Sequence, residues 1–87
     1  MKVDFNKDIL GFDGKVAGRL DSKRVANHLF SNTSTQNPIG MKILLEKIYK
    51  AEKAIEIDPE EVKLLGSAII GSGLTTAYSS AILEQLK

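Results

Sequence analysis

The sequence predicts an α+β domain in which a small N-terminal β-ribbon packs on three to four helices, the last two forming a C-terminal helical hairpin. Two observations carry this prediction. Three glycines and an Asp-Gly pair divide the first 20 residues into short strand-like segments. Beyond residue 21, apolar residues recur at helical spacing between helix start and stop signals. The 87 residues lack cysteine, and 43% of them are apolar, so we expect a single domain, residues 1–87, without disulfides.

The β-ribbon is predicted around Asp13-Gly14. This dipeptide favours a two-residue hairpin turn, and it lies between the segments 9–12 and 15–17. Two strands alone are only marginally stable. The ribbon is therefore expected to lie on the helices. Residues 54–57 alternate once and contain two isoleucines, so they are expected to add a short strand to this ribbon.

The first two helices are predicted from their caps and apolar stripes. The first begins after Asp21 or Ser22, either of which can cap free backbone N–H groups, and it ends within the polar segment 31–37. The second, at about residues 38–53, follows Asn37-Pro38, a cap with proline in the first turn. It has the clearest helical periodicity in the chain, with apolar residues at Met41, Leu44, Leu45 and Ile48.

The last two helices are predicted at about residues 59–70, after the helix start Asp58-Pro59-Glu60-Glu61, and at about 74–86, after Gly71-Ser72-Gly73. Both carry apolar residues on more than one side, which is typical of a helix that is central or shared with another chain. We therefore expect protein–protein binding that begins with self-association. The predicted contact surface on the last helix is Leu74, Ala77, Tyr78, Ala81, Ile82 and Leu86. The alternative is that these residues fill the core of the monomer.

Catalytic chemistry is not expected. His28 is the only histidine, and Asp21 is two helical turns away, too far for local pairing. Glu60 and Glu61 are adjacent in a helix, so their side chains point about 100° apart and cannot act on one bond. No metal-ligand spacing occurs, and the aspartates near the N-terminus lack the late glutamate of a calcium loop. The sequence thus predicts a protein that is not an enzyme and uses no cofactor.

A small-ligand site is the first alternative function. A glycine-flanked serine before a helix offers free N–H groups and hydroxyls that suit a nucleotide or anion. The residues concerned are Gly71, Ser72, Gly73, Thr75 and Thr76. A P-loop lysine is missing, and no strand precedes the glycines, so a helix–helix turn is the preferred interpretation.

Nucleic-acid binding is the second alternative. It depends on basic residues of the first half, which are Lys15, Arg19, Lys23 and Arg24 with the lysines of the second helix. These residues are not interleaved with aromatics, and the net charge is only +1. The last helix has no base-reading side chain before Gln85. Membrane association is not expected either, because runs such as Ala68–Ile70 are far shorter than the roughly 18 apolar residues that span a bilayer. Without a signal-peptide pattern, the expected location is cytoplasmic.

Five short motifs resemble a group of small proteins of tailed phages and prophages. They are Gly11-Phe12-Asp13-Gly14-Lys15, the Val-Ala-Asn-x-Leu pattern of Val25–Leu29, the segment Leu44–Lys50, the step Ile55–Asp58 and the ending Ile82–Leu86. The resemblance covers most of the chain but departs from the group at residues 31–40. No activity is assigned to that group. The resemblance implies a phage setting and an accessory role, in the virion, in its assembly or as an inhibitor of a host protein, and it identifies no site residues.

Overall fold

The computed structural model describes residues 1–87 as four helices and two antiparallel strand pairs, which confirms the predicted α+β class. The strands are β1 (Lys2–Val3), β2 (Asp8–Leu10), β3 (Val16–Arg19) and β4 (Ile55–Glu56). The helices are α1 (Ser22–Asn32), α2 (Pro38–Tyr49), α3 (Pro59–Ile70) and α4 (Thr76–Leu83), with a 3-10 turn at Glu84–Leu86.

The predicted strand at residues 54–57 exists, but it does not join the ribbon. β4 pairs with β1, with Lys2 opposite Glu56 and Val3 opposite Ile55, while β2 pairs only with β3. The chain terminus adds contacts to this pairing, because the Met1 ammonium lies 2.9 Å from Oε1 of Glu56 and 3.0 Å from the Ile57 carbonyl oxygen. Hydrogen bonding to that ammonium, and its charge, lower the pKa of Glu56.

The β2–β3 turn lies where the sequence places it, but the predicted two-residue length is wrong. A two-residue turn of the Asp-Gly type needs a positive φ at both residues. Here only Gly14 has one, at 81°, and no residue other than glycine does. The loop is instead three residues long, between an amide of Gly11 and a carbonyl oxygen of Lys15 that are 2.8 Å apart. The register also shifts between Ile9 and Leu10, which leaves Ala17 unpaired.

The starts of α1, α2 and α3 follow the predicted caps, whereas the end of α2 and both ends of the last helix differ from the prediction. Asp21 caps α1, and Asp58 with Glu61 forms a capping box at α3. α2 ends at Tyr49 rather than near residue 53. The reason is that the Ala51 carbonyl oxygen turns inward, where it accepts from Ser22 Oγ and Asn6 Nδ2, both at 3.0 Å.

The last helix is shorter than predicted, because α4 begins at Thr76 with Thr75 as its cap and gives way to the 3-10 turn after Leu83. It still forms the predicted C-terminal hairpin, since α3 and α4 contact each other. No helix has the length and apolar character needed to cross a membrane.

One core joins the strand pairs to all four helices. Its largest fully buried side chains are Val3, Phe5, Leu20, Leu29, Leu44, Ile48, Ile57, Leu65, Ile69 and Ile82. No buried side-chain nitrogen or oxygen in it lacks a hydrogen-bond partner. The C-terminal end closes the core against the N-terminal segment, because the Gln85 amide bonds both backbone groups of Asp4 at 2.8 and 2.9 Å. The β2–β3 hairpin contributes little to this core beyond Ile9.

Candidate functional site

The contact surface predicted on the last helix is largely covered by the chain itself. Ile82 has no exposed area, so its assignment to a contact surface is wrong. Leu74, Tyr78, Ala81 and Leu86 are half-buried against the core, and of the six predicted residues only Ala77 is exposed. The helix has more than one apolar side because its neighbours within the chain include α3 and β2. The alternative weighed above, core filling, therefore accounts for Ile82.

The Gly71–Thr76 segment forms a turn that uses its own polar groups. Ser72 is buried, its hydroxyl donates to the Ile69 carbonyl oxygen at 2.9 Å, and the same hydroxyl accepts from the Leu74 amide at 3.2 Å. Gly73 takes the left-handed conformation with φ 77°, and Thr75 caps α4. Ser72 is thus occupied in closing the helix–helix turn and is not available to hold an anion.

The basic residues considered for nucleic acid are partly engaged within the chain. Arg19 forms an ion pair with Asp8 at 2.9 Å. The Lys23 ammonium lies 5.4 Å from the centre of the Tyr49 ring, in cation–π geometry. These contacts are side-chain packing that any surface can show, and they add nothing in favour of a nucleic-acid site.

The β2–β3 hairpin, Asp8–Arg19, exposes apolar side chains that the fold does not use; we call it the arm. Phe12 at its tip is 116% exposed, so it touches almost nothing else in the chain. Leu10 and Val16 are 64% and 61% exposed and lie opposite each other on the two strands. Single exposed apolar residues are ordinary, but a group at one protruding end is typical of a contact surface. None of these three residues was among the predicted site residues.

A groove of about 770 Å³ runs between the arm and α4; we call it the arm groove. Small side chains from α4 form one wall, and the arm forms the other with Ile9, Leu10, Phe12 and Ala17. The α4 wall consists of Thr76, Ala77, Ser80 and Ala81. Two residues of the predicted contact surface, Ala77 and Ala81, thus lie in the groove. Their lack of bulk keeps it open.

The arm is fixed at its base and open along its edges. At the base, the Arg19 guanidinium bonds the Asp8 carboxylate at 2.9 Å and the Asn6 carbonyl oxygen at 3.1 Å, and the Leu20 amide bonds the Lys7 carbonyl oxygen at 2.8 Å. Beyond it, β2 and β3 pair only with each other, so each strand keeps a free edge. An unpaired edge is a template for another strand.

A second concavity of about 400 Å³ lies between α1 and the start of α4. His28 lines it, and its Nε2 lies 2.7 Å from the Ser72 carbonyl oxygen. That partner is 44 residues away in the sequence, so no local spacing reveals it. The histidine that the sequence leaves without a partner is held in place by the Gly71–Gly73 turn.

No protein-family model, curated protein or solved structure matches the chain. The arm, the arm groove and the concavity at His28 are therefore the candidate functional surfaces.

Proposed function

We propose that the chain is a non-enzymatic protein-binding module that associates with a second copy of itself, each arm entering the arm groove of its partner. The observation that carries the proposal is Phe12, an aromatic side chain fully exposed at the tip of the arm. Burying such a side chain is worth about 1.5–3 kcal/mol. The single chain does not bury this side chain, so a contact at the tip would gain the burial free energy.

The area of the exposed apolar side chains on the arm determines how much more surface a partner has to cover. A stable interface buries roughly 800 Å² on each partner, and an aromatic side chain supplies about 150–250 Å² of that. Phe12 and the pair Leu10 and Val16 do not reach this area, so the occupant has to cover the arm groove as well. The arm and the groove are neighbours on one face of the chain. A two-fold dimer can therefore place each arm on the other chain's groove and use both surfaces twice.

The backbone of the arm supports the same partner. A lone two-stranded ribbon is marginally stable, and additional strands or packing stabilise it. A second arm offers an edge of identical length and spacing, so antiparallel pairing of two arms would give four strands. Leu10 and Val16 would then share one apolar face with their copies. Association of two arms would thus bury the exposed apolar side chains and pair the free strand edges at the same time.

The wild-type chain tests the proposal by its mass in solution. Sedimentation equilibrium from micromolar to high micromolar concentration is expected to show a reversible change from the 9.5 kDa monomer to twice that mass. A chain that stays at 9.5 kDa up to high micromolar concentration would remove self-association from the proposal.

The biological setting within this proposal is the phage or prophage accessory role that the resemblance implies. A self-associating contact module suits a virion or assembly accessory as well as an inhibitor that docks on a host protein. The genes beside the coding sequence separate the two. Structural phage genes on both sides favour assembly, and early genes favour inhibition of a host protein.

A further inference from the structure

The α1–α4 cleft, the 400 Å³ concavity described above, is built from two facing walls. One wall comes from α1 and its cap residue, and it holds Asp21, Arg24, Val25, Asn27 and His28. The other wall holds Leu74, which lies just before α4, and Tyr78 within α4. A volume of this size is in the range of small-molecule sites.

Contacts outside the cleft hold His28 in a defined state. A backbone carbonyl oxygen only accepts, so Nε2 of His28 carries the hydrogen and donates to Ser72. In the neutral ring this leaves Nδ1 as the acceptor nitrogen. The Tyr78 hydroxyl makes no hydrogen bond within the chain. Only the backbone amide of Tyr78 is bonded, to the Thr75 hydroxyl.

Two opposite charges line the cleft without neutralising each other. The side-chain cations paired with carboxylates are Arg19 and Lys47, so Arg24 has no such partner. Asp21 uses Oδ1 to accept from the Lys23 amide, which leaves its second oxygen for a ligand. Asp21 caps α1 and Arg24 lies in its first turn, so both charges lie at the same end of the helix. They can therefore bind a ligand that itself carries both signs of charge.

The floor between the charges is apolar. Val25 is 2% exposed and Leu74 is half-buried, and both line the cleft. We propose that the α1–α4 cleft binds a small zwitterion, an α-amino acid with an apolar side chain. Arg24 and the Tyr78 hydroxyl hold the carboxylate, Asp21 and His28 Nδ1 accept from the ammonium, and the side chain lies on Val25 and Leu74. The cleft adjoins the arm, because the Tyr78 hydroxyl lies beside Gly18 of β3, but it shares no lining residue with the arm groove.

His28 is the only histidine in the chain, so its imidazole NMR resonances report on binding in the cleft. In NMR titrations of the wild-type chain, the imidazole resonances are expected to shift saturably with L-leucine. Two analogues test the class of ligand: 4-methylpentanoate lacks the ammonium, and 3-methylbutylamine lacks the carboxylate. Each is expected to bind at least about tenfold more weakly than L-leucine, because one charge in the cleft loses its partner. Equal affinity for 4-methylpentanoate and L-leucine would overturn the zwitterion assignment.

Variants locate the binding in the cleft. Arg24→Gln is expected to weaken L-leucine about tenfold or more and to remove the discrimination against 3-methylbutylamine. Tyr78→Phe removes one neutral hydrogen bond and is expected to weaken binding by about a fewfold factor. Lys23→Gln changes a neighbouring cation of α1 that does not line the cleft, and it should leave the affinity unchanged. Unshifted His28 resonances at millimolar L-leucine, or wild-type affinity in Arg24→Gln, would overturn the proposal.

Discussion

Phe12→Ser is expected to raise the dissociation constant of the self-associated form about a thousandfold. Phe12 is 116% exposed in the single chain, so its loss removes no intramolecular packing. Its burial in a contact is worth about 2 kcal/mol, and a two-fold dimer buries it twice, which gives about 4 kcal/mol. Each 1.4 kcal/mol is a factor of about ten. Sedimentation equilibrium of the variant beside the wild-type chain measures the change.

The matched control for this substitution is Phe30→Ser. Phe30 is also exposed, at 62%, but it lies on α1 beside α2, outside the arm and the arm groove. Phe30→Ser should change the dissociation constant little. Both variants are expected to keep the far-ultraviolet circular dichroism spectrum of the wild-type fold. If Phe30→Ser disrupts the association and Phe12→Ser leaves it intact, the contact surface lies on the helical side of the molecule, and the assignment to the arm is contradicted.

Ile82→Ala is expected to lower the free energy of unfolding by about 3–4 kcal/mol. Ile82 has no exposed area and lies in the core, so the substitution removes buried methyl groups and leaves a cavity. The total stability of a small domain is about 5–15 kcal/mol, so the loss is a large part of it. Urea unfolding measured in the Phe12→Ser background excludes the contribution of association, which would otherwise add to the apparent stability.

Ile43→Ala provides the same chemical change at an exposed site. Ile43 is 61% exposed on α2, and its truncation should change the free energy of unfolding by about 0.5 kcal/mol or less. Two results together would support the contact surface first predicted on the last helix. Ile82→Ala would lower the free energy of unfolding no more than Ile43→Ala does, and it would weaken association in an otherwise wild-type chain.

The parts of the fold that sequence reasoning places well are those that depend on neighbours in the chain. The caps at Asp21, Asn37 and Asp58 are correct because a cap is a bond over two or three residues. The predicted end of α2 is incorrect, because the Ala51 carbonyl oxygen accepts a hydrogen bond from Ser22, which is 29 residues away. Likewise β4 pairs with β1, more than 50 positions away in the sequence, and no local pattern shows this partner.

The functional surfaces show the same limit. Apolar periodicity shows that the last helix has two apolar sides, but it does not show which side the chain covers itself, so Ile82 was assigned to the wrong role. A signal for the arm was present: Phe12 is an apolar residue inside a turn of glycine and aspartate, where no core contact requires it. The α1–α4 cleft had no such signal, because it joins residues of α1 to Ser72 and Tyr78 across more than 40 positions.

The absence of cysteine allows a direct test of the proposed contact. Chains carrying only Lys15→Cys, an exposed position in the arm's turn that leaves Phe12 in place, are mixed with mass-labelled chains carrying only Ala77→Cys and are then oxidised gently. If each arm enters the groove of a second copy, the mixed disulfide should form faster and in higher yield than with Phe30→Cys in place of Lys15→Cys. Equal yields from the Lys15→Cys and Phe30→Cys mixtures would contradict the arm-in-groove contact.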